Sequence, residues 1–313
     1  MRNFCHFGNI SRHCLPVITA FAVTLCVPQS GPAQGYRPPE KDFGLILSLA
    51  FTEQLETDLG ESRFEASRRQ FKAEKSLVKN RGIISKVNIS HAVSDYLFSG
   101  PAADPWSDPW GQIKNTDAGL SLILAGSGNW SWFMAATLDW SWEKGADTGE
   151  GLVYGIILSR SYAKSSDRRI GLGVGVFEGL EETKIFPYPT VSWRLKENLT
   201  LQNPLSAGPA GPAGLELVFN ASENWELGTG GAYRSFRFRL DKEGIAPEGI
   251  GEITGVPAWV RASWQASPKL EVGLYTGAIL AGETTIEDSE GRKLQSRHFN
   301  PAPLAAFTLK LAL

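Results

Sequence analysis

The chain has 313 residues, and its 31 lysines and arginines nearly balance its 33 aspartates and glutamates, which gives a net charge of −2. A nucleic-acid-binding protein carries a basic excess, so this balance argues against one. A hydrophobic content of 42% can supply a core, which argues against a disordered acidic chain. The chain also has ten tryptophans and three cysteines, and all three cysteines fall within the first 26 residues.

The first 33 residues have the layout of a secretory signal peptide. Arg2 and Arg12 precede an apolar run at 17–27, and small residues follow up to Ala33. This run is too short to span a bilayer as a helix, which needs about 20 residues, but it fits the apolar region of a signal peptide. The alternative is a buried N-terminal strand or helix. Cleavage after Ala33 would remove every cysteine, so the mature chain is expected to contain no disulfide.

Polar and apolar residues alternate repeatedly after residue 33, most clearly at 130–142. The even positions there are Trp130, Trp132, Met134, Ala136, Leu138, Trp140 and Trp142. Alternate side chains of a strand face opposite sides, so one face is wholly apolar and has a pair of tryptophans at each end. The two pairs are separated by ~34 Å along a strand, or ~26 Å when the strand is tilted by about 40°, which matches the apolar band of ~25 Å in a transmembrane barrel. The alternative is a sandwich strand with large core residues.

Indole rings favour the membrane interface because they are apolar but carry an N–H group that needs a wet partner. The predicted membrane-interface residues are Trp130, Trp132, Trp140, Trp142 and Trp264. The side chains on the opposite faces should line the lumen, since a charge facing lipid is costly. The predicted lumen-lining residues are Lys86, Asn88, Asp139, Tyr188, Arg194, Glu216, Arg261, Glu271 and Lys310. Their signs are mixed, so strong ion selectivity is not predicted, and the charges could instead pair and close the lumen. Glu271 is a candidate partner for Arg261.

Tight turns alternate with longer polar connections, as in outer-membrane barrels. The tight turns are at 126–129, 196–198, 220–224 and 266–269, and the longer connections are at 99–116, 144–150, 203–213, 241–252 and 282–297. The pattern predicts an all-β fold, a single transmembrane antiparallel up-and-down β-barrel of about 14 strands (roughly 12 to 16). It occupies 43–313, after a short periplasmic lead at 34–42. Segment 61–78 is so charged that it fits either a strand or a helix, and a slip of the apolar positions at 233–240 predicts a β-bulge.

The chain ends in AAFTLKLAL, which places Phe307, Leu309, Leu311 and Leu313 on one face. This stripe resembles the C-terminal recognition strand of bacterial outer-membrane proteins, although that strand usually ends in an aromatic residue. The chain as a whole resembles the Gram-negative outer-membrane β-barrel superfamily, and most of all its uncharacterised families with a signal peptide. The resemblance implies a location in the bacterial outer membrane, contact with its lipid and lipopolysaccharide, and recognition of the last strand by the barrel-assembly machinery. It transfers no residue roles.

No motif points to catalysis, a cofactor or a metal, so no catalytic, cofactor-binding or metal-binding residue is predicted. The glycines at 171–175 belong to an alternating strand and open no helix, unlike a dinucleotide-binding loop. His91 is the best catalytic candidate. Strand parity, however, places its neighbour Ser90 on the opposite face, and a serine nucleophile needs a base within hydrogen-bond reach.

Three functions fit the sequence. The first is a porin-like channel for small solutes. The second is a closed structural or interaction barrel without transport, and the third is a membrane-embedded lipid-modifying enzyme. No nucleic-acid partner is expected, and the sequence leaves the oligomeric state open.

Overall fold

The computed structural model describes residues 44–80, 82–204 and 214–313. The signal peptide predicted at 1–33 and the lead predicted at 34–42 lie outside the described residues. The strands are β1 (Leu45–Leu59), β2 (Ser62–Asn80), β3 (Ile83–Ser99), β4 (Gln112–Ala125), β5 (Trp130–Glu143), β6 (Leu152–Ser165), β7 (Arg168–Gly179), β8 (Glu182–Lys196), β9 (Leu199–Gln202), β10 (Gly214–Asn220), β11 (Trp225–Ala232), β12 (Arg234–Arg239), β13 (Ile250–Ser267), β14 (Leu270–Glu287), β15 (Lys293–Phe299) and β16 (Ala302–Ala312). Short 3-10 turns occur at Pro105–Ser107 and Gly149–Gly151. No helix in the described part of the chain is long and apolar enough to cross a membrane.

The strands close into an antiparallel barrel of 14 strands. Neighbours in the chain are neighbours in the ring, except that β13 follows β11 and β16 follows β14. The seam joins β1 to β16, from Ile46 opposite Ala312 to Gln54 opposite Leu304. Strand β12 continues β11 beyond Tyr233, and β15 leads into β16, so neither adds to the ring. The predicted fold class is therefore confirmed.

The charged segment 61–78 is a strand, because it forms most of β2. Its even-numbered side chains are largely covered inside the barrel, whereas Arg63 and Arg69 point outward. Arg63 forms ion pairs with Glu56 and Asp58 of β1, and Arg69 forms one with Asp95 of β3. A strand tolerates these charges because Arg68, Lys72 and Glu74 face the lumen, while Arg63 and Arg69 meet carboxylates on neighbouring strands.

The two ends of the barrel differ in their connections. The turns β2–β3, β4–β5, β6–β7, β8–β9, β10–β11 and β13–β14 are all short and lie at one end, called here the short-turn end. The opposite loop end has the longer connections, together with two short turns at 60–61 and 180–181. The predicted loop at 282–297 is wrong in extent, because β14 continues to Glu287 and β15 begins at Lys293. These strands pair with each other, and residues 283–287 of β14 also pair with residues 250–254 of β13.

Residues 234–255, which comprise β12, the connection 240–249 and the start of β13, leave the wall together and enter the barrel. We call this segment the inner hairpin. Arg239 at the end of β12 pairs with Trp142 of β5, which lies almost opposite β11 in the ring. The bulge predicted at 233–240 is wrong, since β11 and β12 pair with β13 in one continuous register. The apolar alternation is lost there because both faces of the inner hairpin are covered.

The inner hairpin closes the loop end with an apolar core. Phe238, Leu240 and Ala246 of the hairpin pack with the ends of the barrel strands and with the connection 100–111. Trp110 from that connection makes edge contacts with Phe238 at 5.2 Å between ring centroids and with Trp106 at 6.0 Å. Phe238 and Trp106 are almost completely buried. The mouth of the barrel therefore has a packed cover.

Candidate functional site

The residues predicted to line the lumen lie on the inward faces of their strands, and most have a polar partner. Lys86 pairs with Glu74 at 2.7 Å, Arg194 pairs with Asp167 at 3.0 Å, and the Nζ of Lys310 lies 4.0 Å from Glu271. The Asn88 amide donates to Asp117 at 3.2 Å. These pairs join adjacent strands or, for Arg194 and Asp167, β8 and the neighbouring turn between β6 and β7, so they line the wall and do not bridge the lumen.

Tyr188 differs from the rest of this set because its surroundings are apolar. It lies in a cluster with Phe177, Phe186 and Ile250, and its ring stacks on Phe133 at 6.3 Å. Its hydroxyl has no hydrogen-bond partner among the described residues. The β5–β8 side of the lumen is thus filled with side chains, and Ile250 of the inner hairpin packs onto it.

Arg261 pairs with Glu216 and Glu226, so the predicted partner Glu271 is wrong. The guanidinium donates to both carboxylate oxygens of Glu216 at 2.6 and 2.9 Å, to Glu226 at 2.6 Å and to Ser263 at 2.8 Å. Arg261 lies on β13 and Glu216 on β10, with β11 between them. Gly228 of β11 leaves the space for this contact, because a Cβ there would lie 2.7 Å from Glu216 and 2.8 Å from Arg261.

A second polar network lies on β2–β5 and contains Asp139. Its carboxylate accepts hydrogen bonds from Asn115 at 2.9 Å and from Ser141 at 2.6 Å. The side-chain oxygen of Asn115 accepts from Arg68 at 3.2 Å. Asn115 therefore stands between the Arg68 guanidinium and the Asp139 carboxylate.

The tryptophans predicted to lie at the membrane interfaces are on the outward face. Trp130 and Trp132 lie near the short-turn end of β5, and Trp140 and Trp142 lie near its loop end. Trp264 of β13 stacks on Trp225 of β11 at the short-turn end, at 6.2 Å between ring centroids.

The belt at the short-turn end has further members that the sequence analysis missed. Tyr162 contacts Trp130 at 5.0 Å, and the Arg160 guanidinium lies 4.1 Å from the Trp130 ring. Arg168 lies 4.1 Å from the ring of Trp193 on β8. The signal available in the sequence was the shared outward parity near a tight turn.

His91 is exposed on the outward face of β3, where its Nδ1 lies 2.8 Å from the Thr116 hydroxyl. Ser90 points inward and hydrogen-bonds to Asp117. The serine and the histidine therefore lie on opposite sides of the wall and do not form a pair. Within the described residues, no group of three histidine, cysteine, aspartate or glutamate side chains could hold a metal ion.

Arginines anchor the inner hairpin to the surrounding wall. Arg237 is buried and bonds to Glu252 at 3.1 Å, to Glu287 at 2.7 Å and to the Leu180 carbonyl at 2.9 Å. Arg239 bonds to Glu181 at 3.0 Å, and its guanidinium nitrogens bond to the carbonyl oxygen of Glu150. Arg239 also bonds to the Glu248 carbonyl at 2.8 Å. The contacts with Glu252 and Glu248 lie within the hairpin, and the others join it to other parts of the barrel.

The connection 100–111 is held over the barrel by Asp104. Its carboxylate accepts hydrogen bonds from Arg297 and Ser62, both at 2.7 Å, and from the backbone N–H of Trp106 at 3.2 Å. Partial burial raises the pKa of Asp104, but these hydrogen bonds and the Arg297 charge together hold it below its ordinary value.

A cavity of about 110 Å³ lies between the inner hairpin and the wall formed by β1, β2, β3, β14 and β16. Its polar lining includes Gln54, Arg68, Tyr96 and Arg234, and its apolar lining includes Ile253, Pro257, Ile279 and Leu304. Gln54, Arg68 and Arg234 were not among the residues predicted from the sequence. No motif marks them, since only the position of the inner hairpin brings them together.

No protein-family model and no curated protein matches the chain. Solved structures similar to it include the KdgM porin in complex with disordered oligogalacturonate, with a TM-score of 0.34 and 9% identity over 85% of this chain and 99% of that one. The NanC porin has a TM-score of 0.38 and 6% identity over 85% and 100% of the two chains. The TodX monoaromatic hydrocarbon channel deltaS2 mutant has a TM-score of 0.36 and 11% identity over 91% and 93%. At such identities the likeness concerns the barrel alone.

Proposed function

We propose that this protein spans the bacterial outer membrane and passes small solutes through a lumen that the inner hairpin closes in the state described here. The observation that carries this proposal is the hairpin itself. It lies across the mouth of a lumen lined with polar groups. Residues 250–254 pair with β14, whereas β12 and the connection 240–249 are held mainly by side-chain bonds and apolar packing.

The membrane location is supported by the two aromatic belts and by the apolar face between them. Met134, Ala136 and Leu138 are exposed on β5 between the two pairs of tryptophans. Exposed apolar side chains over the height of a bilayer are stable only against lipid. The test is fractionation with the outer membrane, together with a change of mobility between heated and unheated detergent gels. Recovery as a freely soluble protein with no such change would contradict the location.

Release of the hairpin is supported by the nature of its contacts. Glu181, the carboxylate partner of Arg239, is about half exposed on the turn between β7 and β8. A hydrogen bond to a charged group contributes about 1.5–3 kcal/mol to stability, and each 1.4 kcal/mol is about tenfold in an equilibrium constant. Loss of the Arg239 side chain should therefore shift the ratio of open to closed barrels by about 10- to 100-fold.

The experiment measures single-channel conductance in planar bilayers for the wild-type protein and for Arg239→Ala. The variant is expected to show a higher open probability than the wild type. The matched control is Arg63→Ala, since this arginine also lies at the loop end but points outward and forms exposed ion pairs. A conductance of Arg239→Ala equal to that of the wild type and the control would contradict release of the hairpin.

The closed barrel remains the second candidate, because the packed core at the loop end favours it. It predicts that neither the wild type nor Arg239→Ala conducts, although both are folded and inserted.

A further inference from the structure

The cavity under the inner hairpin contains two guanidinium groups and no carboxylate among its lining residues. Arg68 comes from β2 and Arg234 comes from β12, and the two charges are close enough to repel each other. The fold therefore brings two positive charges to one small cavity from opposite sides. An anion between them would relieve the repulsion.

The contacts of Arg68 leave its charge available to a ligand. It donates to the Ser94 hydroxyl at 3.1 Å and to the Asn115 side-chain oxygen at 3.2 Å, and both groups are neutral. Its guanidinium also lies 5.5 Å from the Phe236 ring, which forms part of the cavity lining. The carboxylates whose charges act on Arg68 are Asp139 and Asp117, and Arg68 reaches Asp139 only through Asn115. Among the described residues Arg68 therefore forms no direct ion pair.

Gln54 provides a second, independent observation. Its side chain is only 9% exposed and lines the same cavity, and its Nε2 has no hydrogen-bond partner among the described residues. Buried amide donors are almost always paired, since an unpaired one loses its water and gains nothing. A ligand with a hydrogen-bond acceptor in the cavity would give the Nε2 of Gln54 its missing partner.

The apolar residues of the cavity lining indicate that the second part of the ligand is apolar. Ile253, Pro257, Ile279 and Leu304 give the cavity its apolar surface, called here the apolar wall, and Leu304 lies beside Gln54 on the neighbouring strand. The volume of about 110 Å³ is below that of an engineered cavity of about 150 Å³ that accommodates benzene. A ligand of this size has room for one charged group and a short apolar chain.

We infer that this cavity binds a small aliphatic monocarboxylate, whose carboxylate lies between Arg68 and Arg234 and accepts from Gln54 while its chain packs on the apolar wall. A guanidinium suits this role because it can donate two parallel hydrogen bonds to one carboxylate. The inference deepens the proposed function, because it names the class of solute for the same lumen. Binding can be measured without transport, so either idea can fail separately.

The test measures binding of butyrate to the purified barrel in detergent by titration calorimetry, with butan-1-ol and butylammonium as matched ligands. Saturable binding of butyrate, with at least tenfold weaker binding of the other two, is expected. Absence of saturable butyrate binding, or equal binding of butan-1-ol or butylammonium, would overturn the inference. These ligand comparisons use the wild-type protein and do not depend on the folding of any variant.

Variants then locate the site. Arg234→Met should weaken butyrate binding at least tenfold, and Arg234→Lys should weaken it less, because the charge remains although the two parallel hydrogen bonds are lost. Gln54→Leu should weaken binding about threefold or more while adding no charge. The control is Arg194→Met, since Arg194 also faces the lumen but lies away from the cavity, near the short-turn end. Equal butyrate affinity in Arg234→Met, Gln54→Leu and the control would place the ligand elsewhere and overturn the inference.

Discussion

Removal of the Arg261 side chain should destabilise the barrel strongly. The side chains of Arg261 and Glu216 are 0% and 1% exposed, and they share two hydrogen bonds. In Arg261→Met, Glu216 keeps only the hydrogen bond from Trp259 at 3.0 Å and faces the Glu226 carboxylate nearby. One buried carboxylate is then left without its counter-charge.

The size of the effect follows from that burial. Removal of one partner of a buried pair costs about 3–5 kcal/mol, because the charge that remains is buried and uncompensated. The double variant Arg261→Met with Glu216→Gln should recover most of this loss, since the buried charge is gone as well. The comparison variant Arg63→Met removes ion pairs in which all the side chains are more than half exposed. Such exposed pairs contribute about 0–1 kcal/mol.

The assay is reversible urea unfolding in lipid vesicles, followed by tryptophan fluorescence. The expected order of unfolding free energies is wild type, then Arg63→Met close to it, then the double variant, and Arg261→Met lowest. A loss below about 1 kcal/mol in Arg261→Met would refute the reasoning, because water or another group would then be compensating Glu216. A double variant as unstable as the single one would show that lost packing, rather than the unpaired charge, sets the cost.

Two further predictions concern the wall and the cover. Ala136→Arg should cost roughly 2–4 kcal/mol of unfolding free energy, because residue 136 faces lipid near the middle of the membrane. The control Ala136→Leu should be nearly neutral. Equal losses in the two variants would contradict the outward assignment of residue 136. In the cover, the pKa of Asp104 is lower in the folded state than in the unfolded state. The stability that its charged form gives to the connection 100–111 is therefore complete above the unfolded pKa of about 3.9, and it is lost as the pH falls through the lower folded pKa. The protection of the Trp106 amide against hydrogen exchange, taken relative to the intrinsic rate at each pH, should therefore fall in acid, and it should be low at all pH values in Asp104→Asn; unchanged protection in this variant would count against the role of Asp104.

The wall strands could be predicted from the sequence because lipid and lumen impose opposite chemistry on alternate residues. Strand β5 shows this most clearly, since its even positions are apolar and exposed or half-buried, while Ser131, Thr137 and Ser141 of the odd positions are buried. In β2 the alternation was obscured, because Arg63 and Arg69 are balanced by carboxylates on other strands. Pattern alone cannot reveal such partners.

The inner hairpin could not be predicted, because its surroundings are set by strands distant in sequence. In the sequence, Arg237 and Arg239 resemble solvent-exposed loop residues. In the structure both are buried, and they bond to carboxylates and carbonyl groups from other parts of the barrel. The partner of Arg261 was missed for a similar reason. Glu271 lies on the adjacent strand, but Glu216 reaches Arg261 across β11 because Gly228 has no side chain.

The seam between β1 and β16 has a consequence for the order in which the molecule assembles. Every other junction of the ring joins strands that are close in the chain, so each can form by adding one hairpin. The seam joins Ile46 to Ala312 and is the contact with the largest loop-closure entropy. It can form only after the last strand has been synthesised and placed. Until then both β1 and β16 present free edges, which readily pair with other chains, so closure of the ring is also the step that ends the exposure of the protein to aggregation.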